Sequence, residues 1–178
     1  MPLISASGLI ADPWIRAADD GDFPVSAPAL RPLARLVKDG DRLAGHAPPV
    51  GAEIPGNTDF SLLEPWLPRL ELIAVRFPVF SDGRGFSLGR TIRLAGYTHE
   101  LRATGPLIAD QFSFALACGF DTVEIGDEVG LRQPIDQWLA AAKVMSVTYQ
   151  RGYDGPLNAL DARRRAHRPA RSAAGGAL

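Results

Sequence analysis

Between Leu70 and Gly126 the chain runs twice through one short pattern, and this restricts its fold more than any other feature. Each unit passes from a helical stretch through a glycine–aromatic pair into a short strand that ends at a glycine. The marker residues are Gly96–Tyr97 and Gly105 in one unit, and Gly119–Phe120 and Gly126 in the other. Leu72–Phe77 is a nearly continuous apolar run, the signature of a strand buried on both faces. Glu100–Thr104 and Thr122–Ile125 read as the next two strands. Leu88, Ile92 and Ala95 share one helical face, and so do Ile108, Phe112 and Ala115, with Pro106 suited to a first helical position. Leu131, Ile135, Trp138, Leu139 and Ala142 fit a third helix, and Val144–Tyr149 a last strand. Short alternating strands and helices predict an α/β fold: repeated βα units forming a mainly parallel sheet, either open or a partial barrel.

The flanks differ in character. Leu3–Ile4, Leu9–Ile10 and Trp14–Ile15 are short apolar pieces separated by turn signals at Gly8 and Asp12–Pro13, which predicts a small N-terminal antiparallel element. Leu33–Leu43 has helical spacing that Gly40 weakens near its end. Val50–Ile54 reads as a strand. Asn57 or Thr58 is placed to cap a helix through Leu62, Leu63 and Trp66, shortened by Pro65 and Pro68. From Asp154 the composition turns to Arg, Ala, Gly and Pro. This predicts one α/β domain over residues 1–153 and an arginine-rich disordered tail over 154–178, after a short helix at Leu157–Arg165.

Bulk properties exclude several classes. The formal net charge is −1, which argues against nucleic acid as a partner of the body of the protein. The arginine tail lacks aromatics and reads as solvated. Cys118 is the one cysteine, so the chain forms no intramolecular disulfide and no cluster held by its own cysteines. His46, His99 and His167 lack metal-ligand spacing. No stretch is apolar for long enough to cross a bilayer and no leader pattern is visible, so the expected location is the cytoplasm.

The chemistry-bearing candidate is Asp82-Gly83-Arg84-Gly85-Phe86-Ser87. A glycine-rich turn between strand and helix presents backbone N–H groups and a positive helix end, and Arg84 adds a full charge. A phosphate, sulfate, sulfite or carboxylate suits such a turn. The alternative is purely local: the glycines make the turn, Ser87 caps the helix and Arg84 pairs with Asp82. Gly83, Gly85 and Gly89 are spaced one residue too widely for a dinucleotide fingerprint. Thr104, Asp110 and Gln111 fall where strands end and helices begin, the edge on which functional groups gather in parallel α/β folds. Asp110 is a candidate general acid/base, or it simply complements a helix dipole. Arg76 and Arg102 either reach the site or sit on an exposed strand face. Cys118 reads as a buried structural thiol.

The run Phe77–Ser87, together with Glu100-Leu101-Arg102-Ala103, Asp110-Gln111 and Cys118-Gly119-Phe120-Asp121, resembles the bacterial family called domain of unknown function nine-three-four. The resemblance covers roughly Leu3 to Tyr149 and is most specific from Ile73 to Asp121. Members are commonly encoded beside the assimilatory sulfite reductase haemoprotein and labelled as oxidoreductases of sulfite reduction. The resemblance therefore implies an accessory protein of sulfur metabolism, with the reductase haemoprotein and a small oxyanion as partners; it names no cofactor. In that reading Asp82 orients Arg84, Gly83 and Gly85 expose backbone donors, Ser87 contacts the anion, and Arg102, Thr104, Asp110 and Gln111 complete the rim. Two other readings stand beside it: a small enzyme acting on a phosphorylated or carboxylated metabolite with Asp110 as acid/base, and a non-catalytic interaction module.

Overall fold

The computed structural model describes residues 1–17, 26–40 and 49–143. The strand expected at Val144–Tyr149, the segment from Asp154 onward and the end of the helix expected at Leu33–Leu43 lie outside the described residues. Eight strands form one sheet in the order β2-β1-β8-β7-β6-β5-β4-β3. In chain order these are β1 (Leu3–Ser5), β2 (Gly8–Ile10), β3 (Ile15–Arg16), β4 (Ala29–Pro32), β5 (Val50–Pro55), β6 (Leu72–Arg76), β7 (Glu100–Gly105) and β8 (Thr122–Ile125). From β3 to β8 all neighbours are parallel, whereas β1 runs antiparallel to both β2 and β8. The fold is thus mixed α/β with a mainly parallel sheet and an antiparallel N-terminal hairpin, as expected. Trp14–Ile15 departs from the expectation: Ile15–Arg16 leaves the hairpin and pairs parallel to β4 at the opposite edge.

The sheet curls into a half-barrel. β3 and β8 are five places apart in the sheet, about 24 Å on a flat sheet at ~4.8 Å per strand. Yet Arg16 of β3 reaches Glu124 of β8 with two hydrogen bonds of 2.7 Å. Only a strongly curved sheet brings those strands within one side chain's length.

Helices cover the convex face. They are α1 (Leu33–Asp39), α2 (Phe60–Leu63), α3 (Arg84–Leu94), α4 (Phe112–Ala117), α5 (Asp127–Arg132) and α6 (Ile135–Ala142), with 3₁₀ turns at Glu64–Arg69 and Ala109–Gln111. Alternate strand residues Ile73, Val75, Leu101, Ala103, Val123 and Ile125 join Ile92, Phe112 and Trp138 in the main core. Gly96 and Gly119, at φ +89° and +99°, end α3 and α4 in the left-handed conformation that the sequence suggested.

Several boundaries shift for identifiable reasons. The cap of α2 is Asp59, whose carboxylate accepts from the Ser61 N–H at 3.0 Å; the Thr58 hydroxyl donates instead to the Pro55 carbonyl. Pro106 does not open a helix. The Leu107 N–H turns back onto the Gly105 carbonyl at 2.8 Å, a tight turn that delays the helix. The single helix expected through Leu131–Ala142 is two, because Gln133 is extended before Pro134, the conformation that a following proline favours.

Candidate functional site

The glycine-arginine turn is a self-contained piece of structure. α3 begins at Arg84, so Ser87 lies inside the helix and does not cap it. Gly83 is the N-cap, and Asp82 just before it accepts from the Arg84 backbone N–H at 3.1 Å. The same carboxylate receives Arg84 Nε at 2.9 Å and Nη2 at 2.6 Å. Those hydrogen bonds hold Asp82 down to about 2 from an ordinary 3.8. Gly83 is exposed. Gly85 is buried for a packing reason: a Cβ there would meet the Phe77 ring at 2.5 Å, as one on Gly89 would meet Phe120. The two glycines let α3 settle on an aromatic cluster in which Phe77 and Phe86 lie 4.7 Å apart.

Gln111 ties two loops together. Its Nε2 donates to the Phe80 carbonyl at 2.6 Å, and its Oε1 accepts from the Ile108 N–H. Asp110, beside it, is exposed and makes no hydrogen bond or ion pair among the described residues. The structure therefore brings the loops bearing Asp82 and Gln111 together, but it directs Arg84 to Asp82 rather than to Asp110. Cys118 is half-buried, and burial raises its thiol pKa against an opposing charge from Arg90.

The concave face is different. Strand residues that alternate with the core positions point into the curl, and register stacks them in layers, as in closed parallel barrels. The lowest layer joins Leu30, Gly51, Leu72 and Glu100. Glu53, Ala74, Arg102 and Thr122 form the middle one. Arg76, Thr104 and Glu124 form the uppermost, at the C-terminal ends of β6, β7 and β8. The segment before β3 crosses this face, with Asp12, Trp14 and Arg16 spaced two apart so that all three share one side. Trp14 packs on Leu30, Leu72 and Ala74.

The lower interior is closed by charge pairing. Arg102 is wholly buried and donates to both Asp12 carboxylate oxygens, at 2.7 and 3.0 Å, and to Glu100 at 3.1 Å. Glu100 also accepts from the Thr122 hydroxyl at 2.8 Å. Burial opposes ionisation of Asp12, but the Arg102 hydrogen bond, the Trp14 N–H and the nearby arginine charges outweigh it and lower its pKa. Arg102 is thus a structural ion in the half-barrel rather than part of a solvent-facing rim.

The upper interior is open. A pocket of about 300 Å³ is lined by Met1, Arg16, Glu53, Arg76, Thr104, Gly105 and Glu124. Arg16 is anchored by Glu124 and lies 3.5 Å from Glu53; the Glu124 hydrogen bond raises its pKa. Two groups stand out. Thr104 is only 4% exposed and its Oγ1 has no hydrogen-bond partner. Arg76, next to it in register, has no ion-pair partner among the described residues. Gly105 holds φ +116°, and a Cβ there would collide with the Phe77 carbonyl, so a side chain is barred from this part of the mouth. Thr104 was among the expected rim residues. Arg16, Glu53 and Glu124 were not, and Arg76 was left undecided. The available signal is a single charged residue in each of four short strands that are otherwise without charge.

This is an α/β protein whose curled parallel sheet opens a charged pocket at the strands' C-terminal ends, the usual location of ligand sites in such sheets. No curated protein matches the chain. Residues 51–159 match the family described as "Bacterial protein of unknown function (DUF934)", and the chain belongs to that family. The match takes in β5 to β8 and so includes every charged pocket residue except Arg16. No helix among the described residues is long and apolar enough to cross a membrane, and no group of three or more His, Cys, Asp or Glu side chains there is placed to hold a metal ion.

Proposed function

We propose that this protein is a small-oxyanion-binding accessory protein of assimilatory sulfite reduction. It would work in the cytoplasm beside the reductase haemoprotein with which family members are commonly encoded. The anion lies at the mouth of the half-barrel, on Arg76 and Thr104, rather than on the turn at Gly83–Ser87. The observation that carries this reading is the pairing, in adjacent strands, of an arginine without a counter-ion and a buried hydroxyl without a partner. A buried polar group left unsatisfied calls for an explanation; the Thr104 hydroxyl is closed to solvent, and a bound acceptor supplies the explanation once the side chain turns toward the cleft. A guanidinium and a hydroxyl both donate to an oxyanion; Arg76 is exposed at the mouth, and its charge makes its bond the stronger of the two. With one cysteine, the chain has a role in delivery or docking and does not carry the reductase's own clusters.

Thermal unfolding with added sulfite, sulfate or phosphate tests this, because a ligand of the native state raises Tm. We expect a rise in the wild type and in Arg84→Ala, and none in Arg76→Ala. A rise that survives Arg76→Ala and vanishes in Arg84→Ala would return the site to the glycine turn.

The interaction-module reading has its own support. Val79, Phe80 and Phe114 are 50%, 58% and 48% exposed, and an apolar surface of this kind suits a protein partner. Co-purification of the haemoprotein with no anion response at all would favour it. The reading with Asp110 as acid/base gains nothing from the geometry, since no hydrogen bond or ion pair from a described residue orients that carboxylate.

A further inference from the structure

Resting on the reading that the mouth holds an oxyanion group, we infer that its ligand is amphoteric: a small organic oxyanion that also carries a protonated amine. Arg76 and Thr104 take the anion, and Glu53 takes the ammonium.

Charge balance comes first. Two arginines, Arg16 and Arg76, face two glutamates, Glu53 and Glu124, across one pocket, and the N-terminal ammonium of Met1 at its edge lies 3.7 Å from Asp127. Side-chain charges that cancel compensate a bare divalent anion poorly and a zwitterion well, because each half of a zwitterion meets an opposite charge.

The pairing within the pocket is also unequal. Arg16 reaches both Glu124 oxygens at 2.7 Å, so that carboxylate is already satisfied. Glu53 has only a 3.5 Å approach from Arg16 Nε, through Oε2, and is mostly buried at 20% side-chain exposure. That long contact is weaker than the two 2.7 Å bonds Arg16 makes to Glu124 and leaves Oε1 of Glu53 open to a donor. The mouth therefore contains an under-used donor pair, Arg76 with Thr104, and an under-used acceptor, Glu53. Glu53 sits one layer below Arg76 on the adjoining strand.

Space points the same way. The cleft of about 300 Å³ takes in both Arg76 and Glu53, and a lone tetrahedral oxyanion on Arg76 would leave Glu53 unused.

Two pairs of probes separate the inference from the reading beneath it. Ethanesulfonate and taurine differ by the amine, and so do ethyl phosphate and phosphoethanolamine. By calorimetry at pH 7 the aminated member of each pair is expected to bind about tenfold more tightly, the effect of one charge-assisted hydrogen bond. Glu53→Gln should bring each pair level while keeping the affinity for the amine-free member. Arg76→Ala should weaken all four. If taurine and phosphoethanolamine bind no better than their amine-free partners, the amphoteric ligand is wrong and the oxyanion site stands. A preference that persists in Glu53→Gln also overturns it. If none of the four binds, both inferences fall. The wild-type comparison needs no variant, so the outcome does not depend on Glu53→Gln folding. The two series also show whether a sulfonate or a phosphate group is preferred.

Discussion

Two arginines mark the contrast between the glycine turn and the barrel mouth. Arg84 follows a carboxylate by two residues and is 63% exposed, and it binds that carboxylate through both its backbone N–H and its guanidinium. Arg76 ends β6 with Thr104 alongside it and no counter-ion among the described residues. The turn has the residues of an anion site, but they satisfy one another locally. The mouth has charges brought by five separate segments, and these cannot all be satisfied by near neighbours. What matters for binding is which donors remain after local pairing.

The contrast can be broken most forcefully from inside the half-barrel. Arg102→Ala would leave Asp12 and Glu100 facing each other without their shared cation. Removing one partner of a fully buried ion pair costs about 3–5 kcal/mol; Asp12 and Glu100 are 30% and 25% exposed, so water takes up part of that and denaturant unfolding should show a loss of about 2–4 kcal/mol. A loss below about 1 kcal/mol, the range of surface ion pairs, would mean that the interior is wetter than its burial implies.

A smaller effect is expected at Gly85. If the turn is there for packing, Gly85→Ala must push the Phe77 ring aside, at the ~1–3 kcal/mol of an overpacked core. Anion-dependent Tm shifts should survive in this variant. Unchanged stability with a lost anion response would instead assign the glycine to a ligand.

Acid titration sharpens the comparison further. Asp12 and Asp82 both have folded-state pKa values below their ordinary 3.8. Each carboxylate is therefore more readily ionised in the folded chain than in the unfolded one. The stability it contributes is full above about pH 4 and declines as pH falls through the lowered value. In low salt Asp82→Asn should flatten the acid limb of the stability curve the more, because its carboxyl is held down to about 2; added salt should screen away that share, since Arg84 is solvated, and leave the Asp12 share, since Arg102 is buried. Equal salt sensitivity would erase the distinction between the two pairs.

The parallel core was readable because its signals are local. β8 falls on the residues that its apolar run marked, and α3 and α4 stop at the glycines that end them. Less was readable where a tertiary contact competes with a local cue. Pro106 looked like a helix start until the Gly105 turn intervened, and Trp14–Ile15 looked like hairpin until β4 captured it. Of the candidate site, Thr104 was found on its strand end. Ser87 fell inside the helix, and Asp110 was left exposed without a partner.

The order of apolar runs, helical faces and glycine stops by itself determined that this chain builds a helix-covered parallel sheet, because periodicity and turn chemistry act over a few residues. Only the tertiary structure decided where the charges meet. Arg16 and Glu124 are separated by 108 positions and are joined because the sheet curls, and curvature is a collective property of eight strands that no short stretch of sequence displays.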